Sequence, residues 1–307
     1  MEGRQVITVR DGAGRPVLGA KVEVLDATDE VVATLRTYAD GRALFHAPTE
    51  VDPDSQSRPS YHLRVSRGDV VATAALDADA TEHEVTLDAS TTGDVEVDVM
   101  FLIDTTGSMG DEIARLQANI TSVAEQLDGL EGDPDVRFGM TVYRDRGDTF
   151  VTRTFDFTGA VDEFASALDE VTADGGGDVP EDMNAGLHDA LTKPAWRGDD
   201  TVKLLFLVAD APPHLDYDGP DYADDVRAAA EQGVKIVPIA SSGLDPQGEY
   251  VFRQLAQVTM GTFVFLTYGA DGVSPGDDTP HQVDDYSVLA LDELVVRFVA
   301  EELGNQA

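Results

Sequence analysis

Cysteine is absent from all 307 residues. That excludes disulfides, thiolate nucleophiles and Cys-ligated zinc together. Lysine is almost absent as well: Lys21, Lys193, Lys203 and Lys235 are the whole set, and every other fixed cation is arginine. No segment approaches the roughly 18 consecutive apolar residues of a membrane span. The start, MEGRQVITVRDG, has no apolar signal-peptide core. Together these features lead us to expect no direct membrane insertion and a cytoplasmic location, or the cell surface if the chain is a fragment of a larger protein.

A basic patch is also missing. Lys and Arg number 21 against 59 Asp and Glu, a formal net charge of -38. Nothing in such a chain meets phosphates, so nucleic acid and anionic membrane surfaces are not expected partners. The acid is spread along the whole length, and hydrophobic residues still make up 42%. A disordered acidic chain would lack that apolar content. A folded chain of this charge repels itself unless salt screens it. The composition resembles that of halophilic proteins that work in molar salt.

The chain reads as two halves with different periods. Residues 1–91 contain short alternating segments, from "QVITVRD" and "AKVEVLDA" to "VVATAALD" and "HEVTLDA", separated by turn clusters such as DGAGRP. Alternation with frequent turns predicts an antiparallel all-β sandwich. The wording "VRDGAGRPVLGAKVEVLDA" resembles the carboxypeptidase regulatory-like and Cna-B-like sandwiches. Those modules usually serve as spacers or interaction domains. Some Cna-B-type members form an internal Lys–Asn isopeptide bond; this half has no Asn, so that bond cannot form.

After the polar linker "ASTTGD" the pattern changes. Continuous apolar runs at 95–103, 136–143, 202–209, 234–240 and 262–267 alternate with helical spacing, the first being Ile113, Leu116, Ile120, Val123, Leu127 and Leu130. Buried strands alternating with amphipathic helices predict, for residues 95–307, an α/β domain with a mainly parallel, Rossmann-like sheet flanked by helices. Further helices are expected near 160–173, 180–192, 221–232, 248–259 and 287–303, and a long surface loop over 269–286.

In such a sheet, ligands sit outside the carboxyl ends of the strands. Three oxygen-rich loops belong there. The first is Asp104-Thr-Thr106-Gly-Ser108 after an apolar strand. The second is "GGGDVPED", with Asp178 ahead of a helix whose first turn would hold Pro180. The third follows "LLFLVA" and starts on Asp210. In a chain this acidic, any single loop aspartate is more often solvated surface. Ser108 with Asp111 can also be read as a helix capping box. The hydroxyl pair, and two strongly apolar strands that each stop on a carboxylate, favour an ion site instead. Oxygen donors of this kind suit Mg2+ or Mn2+.

"DTTGSM" resembles the D-x-[ST]-x-S motif of von Willebrand factor type A (vWA) domains, their metal-ion-dependent adhesion site. The run "VYRDRGD", "DEFASALDEVTADGGGDVPEDMNAGLHDAL", Trp196 and "ADAPPH" is similar to the vWA subfamily of hemicentins and α-kinase fusions, over about residues 95 to 268. The resemblance implies metal ligation by Asp104, Thr106, Ser108, Asp178 and Asp210. Thr106 stands for the more usual Ser, and Asp178 stands where integrin-like members have Thr. Asp111 and Glu112 resemble the acidic pair that integrin β-chains use for an adjacent Ca2+, although at a helix start they also suit the dipole. Asp145 and Glu181 are read as outer-layer or solvated acids, His214 as a loop hydrogen-bonder, and Trp196 as core or a helix-end plug.

The leading expectation is therefore a divalent-metal-dependent protein-binding module, adhesive or scaffolding, whose ion accepts an exposed Asp or Glu of another protein. It is not expected to be an enzyme. One alternative is a Mg-dependent phosphoaspartyl enzyme, since "FLIDTTGS" also looks like a phosphoaspartyl strand end with Asp104 as nucleophile. That chemistry needs a later Lys and a paired acidic loop; Lys203 lies inside a strand run, and "ADAPPH" supplies one acid. A scaffold with an unused metal site is the other alternative. The partner's identity and the oligomeric state are not legible.

Overall fold

The computed structural model describes residues 4–47, 60–77, 79–89, 96–130, 132, 134–177, 179–241, 243–265 and 291–304. All seven expected N-terminal strands form: β1 (Arg4–Arg10), β2 (Lys21–Leu25), β3 (Val31–Arg36), β4 (Arg42–His46), β5 (Tyr61–Arg67), β6 (Val70–Leu76) and β7 (Glu82–Thr86). They make two sheets, ordered β4-β1-β7 and β3-β2-β5-β6. Alternate residues Ile7, Val9, Val22, Val24, Leu63 and Val65 turn inward and close one apolar core between them. One pairing departs from the antiparallel expectation: β7 lies parallel to β1, with Val9 opposite Val85. The chain crosses from the second sheet back to the first before β7, so strand direction is set by the crossover, which alternation cannot encode.

The second half is a six-stranded sheet of β8 (Glu96–Asp104), β9 (Asp135–Tyr143), β10 (Thr152–Thr158), β11 (Thr201–Ala209), β12 (Val234–Ala240) and β13 (Val264–Phe265). Its order is β10-β9-β8-β11-β12-β13, with only β10 antiparallel to its neighbour. The helices are α1 (Gly110–Asp128), α2 (Val161–Asp169), α3 (Met183–Thr192), α4 (Tyr222–Gln232), α5 (Pro246–Val258) and α6 (Leu291–Gly304). They divide between the faces. Val99, Phe101 and Ile103 of β8 pack with α1, α2 and α6, whereas Met100 and Leu102 pack with α3, α4 and α5. Burial on both faces explains why these strands read as unbroken apolar runs.

Three sequence expectations are corrected. β10, "TRTFDFT", was not anticipated, because an edge strand with alternating polar residues has no continuous apolar run. Pro180 is not in the first turn of α3; it follows a cis Val179–Pro180 peptide bond, and the helix starts at Met183 with Asp182 as its cap, accepting from the Ala185 amide. The Ser108–Asp111 capping box does not form either. Residues Gly107–Met109 make a 3-10 turn, and α1 begins without a side-chain cap bond. The expected linker "ASTTGD" (89–94) lies outside the described residues apart from Ala89, and the expected loop at 269–286 lies outside them.

The sandwich sits against the amino ends of β11 and β12. Leu18 and Ala39 join the core of the α/β sheet, and Ala230 of α4 joins the sandwich core. Gly19, at φ 69°, lets the two backbones close up: a Cβ there would stand 1.9 Å from the Asp199 carbonyl oxygen. Arg36 pairs with Asp199, and Arg67 with Asp200. Two of the four lysines lie in this zone. Lys235 Nζ donates to Glu302 Oε1 at 2.5 Å, both nearly buried, 5.1 Å from the centre of the Tyr38 ring. Lys203, also buried, donates to the Gln232 carbonyl.

At the same end, Asp98 is fully buried and accepts from Arg137 and Arg197. Trp196 plugs the end of α3, its indole N–H donating to the Ala190 carbonyl.

Candidate metal centre

β8 is the first strand of the second sheet and has β9 on one side and β11 on the other. The chain order reverses there, and the carboxyl ends of β8 and β11 open the crevice where α/β sheets bind ligands. Asp104 is the last residue of β8, and Asp210 follows β11 directly.

Asp104 has no exposed surface. Its Oδ1 accepts twice from Thr106, from the amide at 2.9 Å and from the hydroxyl at 2.7 Å. Its Oδ2 is buried with no hydrogen-bond partner. Burial pushes the carboxyl up to about 7, against the opposing pull of the Thr106 bonds, and the neighbouring charge of Asp210 adds to the rise. Asp210 is itself raised by burial, with the Ser108 hydroxyl beside it pulling the other way. So Ser108, exposed at the rim, faces the Asp210 carboxyl rather than capping α1.

Glu112 is buried at 6% exposure. Burial raises it first, and the charges of Asp210 and Asp111 add to that. Asp111, its partner in the expected adjacent Ca2+ site, is exposed. Thus four of the five expected ligands, Asp104, Thr106, Ser108 and Asp210, come together, and Glu112 stands beside them. Asp178, the fifth, lies outside the described residues. Among the described residues, no three His, Cys, Asp or Glu side chains close directly round one point as metal ligands. Two of the gathered donors are hydroxyls.

The chemistry of the set suits a hard cation. Each buried carboxyl is pushed toward neutrality by its surroundings, and Oδ2 of Asp104 has the Tyr143 phenol near it but no hydrogen bond to offset its desolvation fully. A divalent ion supplies that charge and prefers oxygen.

The second loop folds back over the first. Gly107 donates to the Gly175 carbonyl at 3.2 Å, and Asp174 to the Thr105 carbonyl at 3.0 Å. Gly175 and Gly176 have φ of 79° and 63°, and a Cβ on Gly176 would meet Glu181 Oε1 at 2.8 Å and Thr106 Cβ at 3.0 Å. Glycine is thus required there on both counts. Glu181 is 3% exposed, not solvated. Asp145 is buried too, and accepts from the Tyr217 hydroxyl. His214 hydrogen-bonds as expected: its Nδ1 meets Asp216 Oδ1 at 2.8 Å, and its ring stacks on Tyr217 at 3.7 Å.

Sequence reasoning missed Tyr143. It ends β9, is fully buried, and its phenol is raised well above its ordinary value by burial and by the charges of Asp104, Asp210 and Glu181. An aromatic closing an apolar run reads as core, so nothing marked it out.

Residues 98–267 match the von Willebrand factor type A domain. The chain is similar to "Alpha-protein kinase vwkA" of Dictyostelium discoideum, with 31% identity over 214 residues, covering 68% of this chain and 33% of that protein. It is also similar to human "von Willebrand factor A domain-containing protein 7", with 34% identity over 113 residues, 37% of this chain and 12% of that one. Among solved structures, proximal thread matrix protein 1 of the mussel byssus aligns at TM-score 0.41 and 17% identity, covering 56% of this chain and 41% of that one. The chain spans a third or less of the length of these curated relatives.

Proposed function

The chain belongs to the von Willebrand factor type A domain family, whose domains generally mediate protein–protein interaction; from that premise we propose that it binds a partner protein through a divalent cation, Mg2+ or Mn2+, at the β8–β11 crevice. The observation that carries this reading is the unpartnered, fully buried Oδ2 of Asp104, set beside the Asp210 carboxyl and the hydroxyls of Thr106 and Ser108. A cation bound there supplies a hard Lewis acid with a position open to an oxygen donor from outside.

The protein's own part is to hold and orient. Thr106 fixes the Asp104 carboxylate with two bonds, so that its second oxygen has one direction left. Ser108 reaches the surface next to Asp210 and marks the outward side of the site. An Asp or Glu on the partner matches that opening in charge and hardness. Because the site already holds several carboxyls, that outside carboxylate binds weakly, and molar salt helps the two acidic surfaces approach.

The phosphoaspartyl alternative loses its lysine. Lys203 pairs in register with Asp98, six residues before Asp104, which at about 3.3 Å per residue puts it roughly 20 Å from the site. We therefore read the chain as a binding module and not an enzyme.

The test is a melt of the full chain in molar KCl. Added Mg2+ or Mn2+ should raise the melting temperature by binding only the folded state. Asp104→Ala and Asp210→Ala should lose the rise, while Asp216→Ala, changed at an exposed pair with His214, should keep it. Equal rises in all four proteins would mean bulk screening, not a site. A complex with a carboxylate-bearing partner should dissociate in EDTA.

A further inference from the structure

We infer that Glu181 is an acid of the second loop that serves this cation site. The inference rests on the cation-binding reading above and sharpens it.

Glu181 is tied to both other loops. Its amide donates to the Pro212 carbonyl at 3.0 Å, and its carbonyl accepts from the His214 amide at 3.0 Å, on either side of a parallel bridge to Pro213. Its main chain is thus pinned to the loop that Asp210 begins. Its side chain turns the other way. Glu181 Oε1 and Thr106 Cβ both lie within 3.0 Å of the point that a Gly176 Cβ would fill, so the carboxyl faces the first loop. Beneath them the Tyr143 phenol feels the charges of Asp104, Asp210 and Glu181 together. Charges from three loops thus act on one buried phenol, beside an Asp104 oxygen left without a hydrogen bond.

These three carboxyls do not close directly on one point. Glu181 accordingly acts by its charge and through water, leaving direct donors to include the hydroxyls of Thr106 and Ser108. Its presence has a consequence for the partner. Three ionised carboxyls exceed the charge of a divalent ion, so a neutral residue at 181 should leave the ion more attractive to an outside carboxylate while holding the ion itself less tightly.

Calorimetric titration of the full chain with MnCl2 in molar KCl tests this. Removing a supporting group round a metal typically weakens binding about 10–100-fold. Glu181→Gln and Glu181→Thr should each weaken Mn2+ binding about 10-fold or more. Metal-free melts run alongside identify a variant that has lost its fold, and the second substitution then carries the measurement. Binding within twofold of wild type in a folded Glu181 variant overturns the proposal and leaves the cation site standing. Absence of Mn2+ binding in the wild type removes both.

Discussion

The Thr106 hydroxyl donates to Asp104 Oδ1 at 2.7 Å, and its own amide donates to the same oxygen at 2.9 Å. One residue thus saturates one carboxylate oxygen and leaves the other bare. In the metal-free protein this is a liability, because the buried charge has only half its partners.

Replacing Asp104 with Asn should therefore separate two effects. The metal-free melting temperature should rise, since Asn carries no charge to desolvate and burial already pushes this carboxyl up to about 7. The rise with Mg2+ should disappear. Each kcal/mol regained shifts the melting point of a chain this long by about 1.5 °C. A melt with and without 10-fold excess metal checks both halves; a metal-free fall with an intact metal response would contradict the assignment.

The net charge of -38 leads to a second expectation. As KCl is diluted below the molar range, the Debye length grows from about 3 Å toward 10 Å and the acidic surface repels itself. Circular dichroism should show loss of structure on dilution. A cooperative melt unchanged in dilute buffer would refute the halophile-like reading.

At the pole opposite the metal loops, Lys235 and Glu302 form a nearly buried pair. Breaking such a pair from one side costs about 3–5 kcal/mol, whereas replacing both members by apolar groups can be neutral. Lys235→Met alone and Glu302→Met alone should each lower the melting temperature strongly, and the double variant should recover most of it. Additive losses in the double-mutant cycle would show that the pair does not couple.

In the sandwich, Glu23 accepts from Arg64 at 2.7 Å and from Lys21 at 2.8 Å. Those cations, Arg64 foremost, hold its carboxyl down to about 2. A depressed carboxyl stabilises the fold above its unfolded value, about 4.3, and that stability is lost as pH falls through the folded value. Acid unfolding should hence steepen between about pH 4 and 2, and Glu23→Gln should flatten that limb while lowering stability at pH 7. Parallel acid titrations followed by fluorescence would show whether it does.

Much of this fold was legible because burial leaves a period. The seven sandwich strands alternate, and β8, β11 and β12 run mostly apolar, broken only near their ends by residues such as Asp98, Lys203 and Lys235, because helices cover both faces. The stops at Asp104 and Asp210 were equally plain against that background. Glu181 was not, since "PEDM" offers two adjacent acids in a chain full of them; both are buried, and only the fold turns Asp182 to cap α3 and Glu181 toward the first loop. β10 escaped because its edge position leaves it no continuous apolar face, and the β1–β7 direction because pairing sense depends on how the chain crosses between sheets. Ser108 misled as a cap because its local spacing fits a helix start equally well; the competing attraction of Asp210 comes from a residue about a hundred positions away.

The sandwich and the metal loops occupy opposite ends of the same central strands, with Gly19, Arg36 and Tyr38 against the amino ends and Asp104 and Ser108 at the carboxyl ends. A tensile load applied between a bound partner and the sandwich would run lengthwise through the sheet. β8 is hydrogen-bonded along both sides, to β9 and β11, in register from Glu96 onward, so those ladders would be sheared all together instead of peeled one bond at a time. The geometry would make a stiff strut, and under the proposed reading the weak link in tension would be the ion contact or the seam at Gly19.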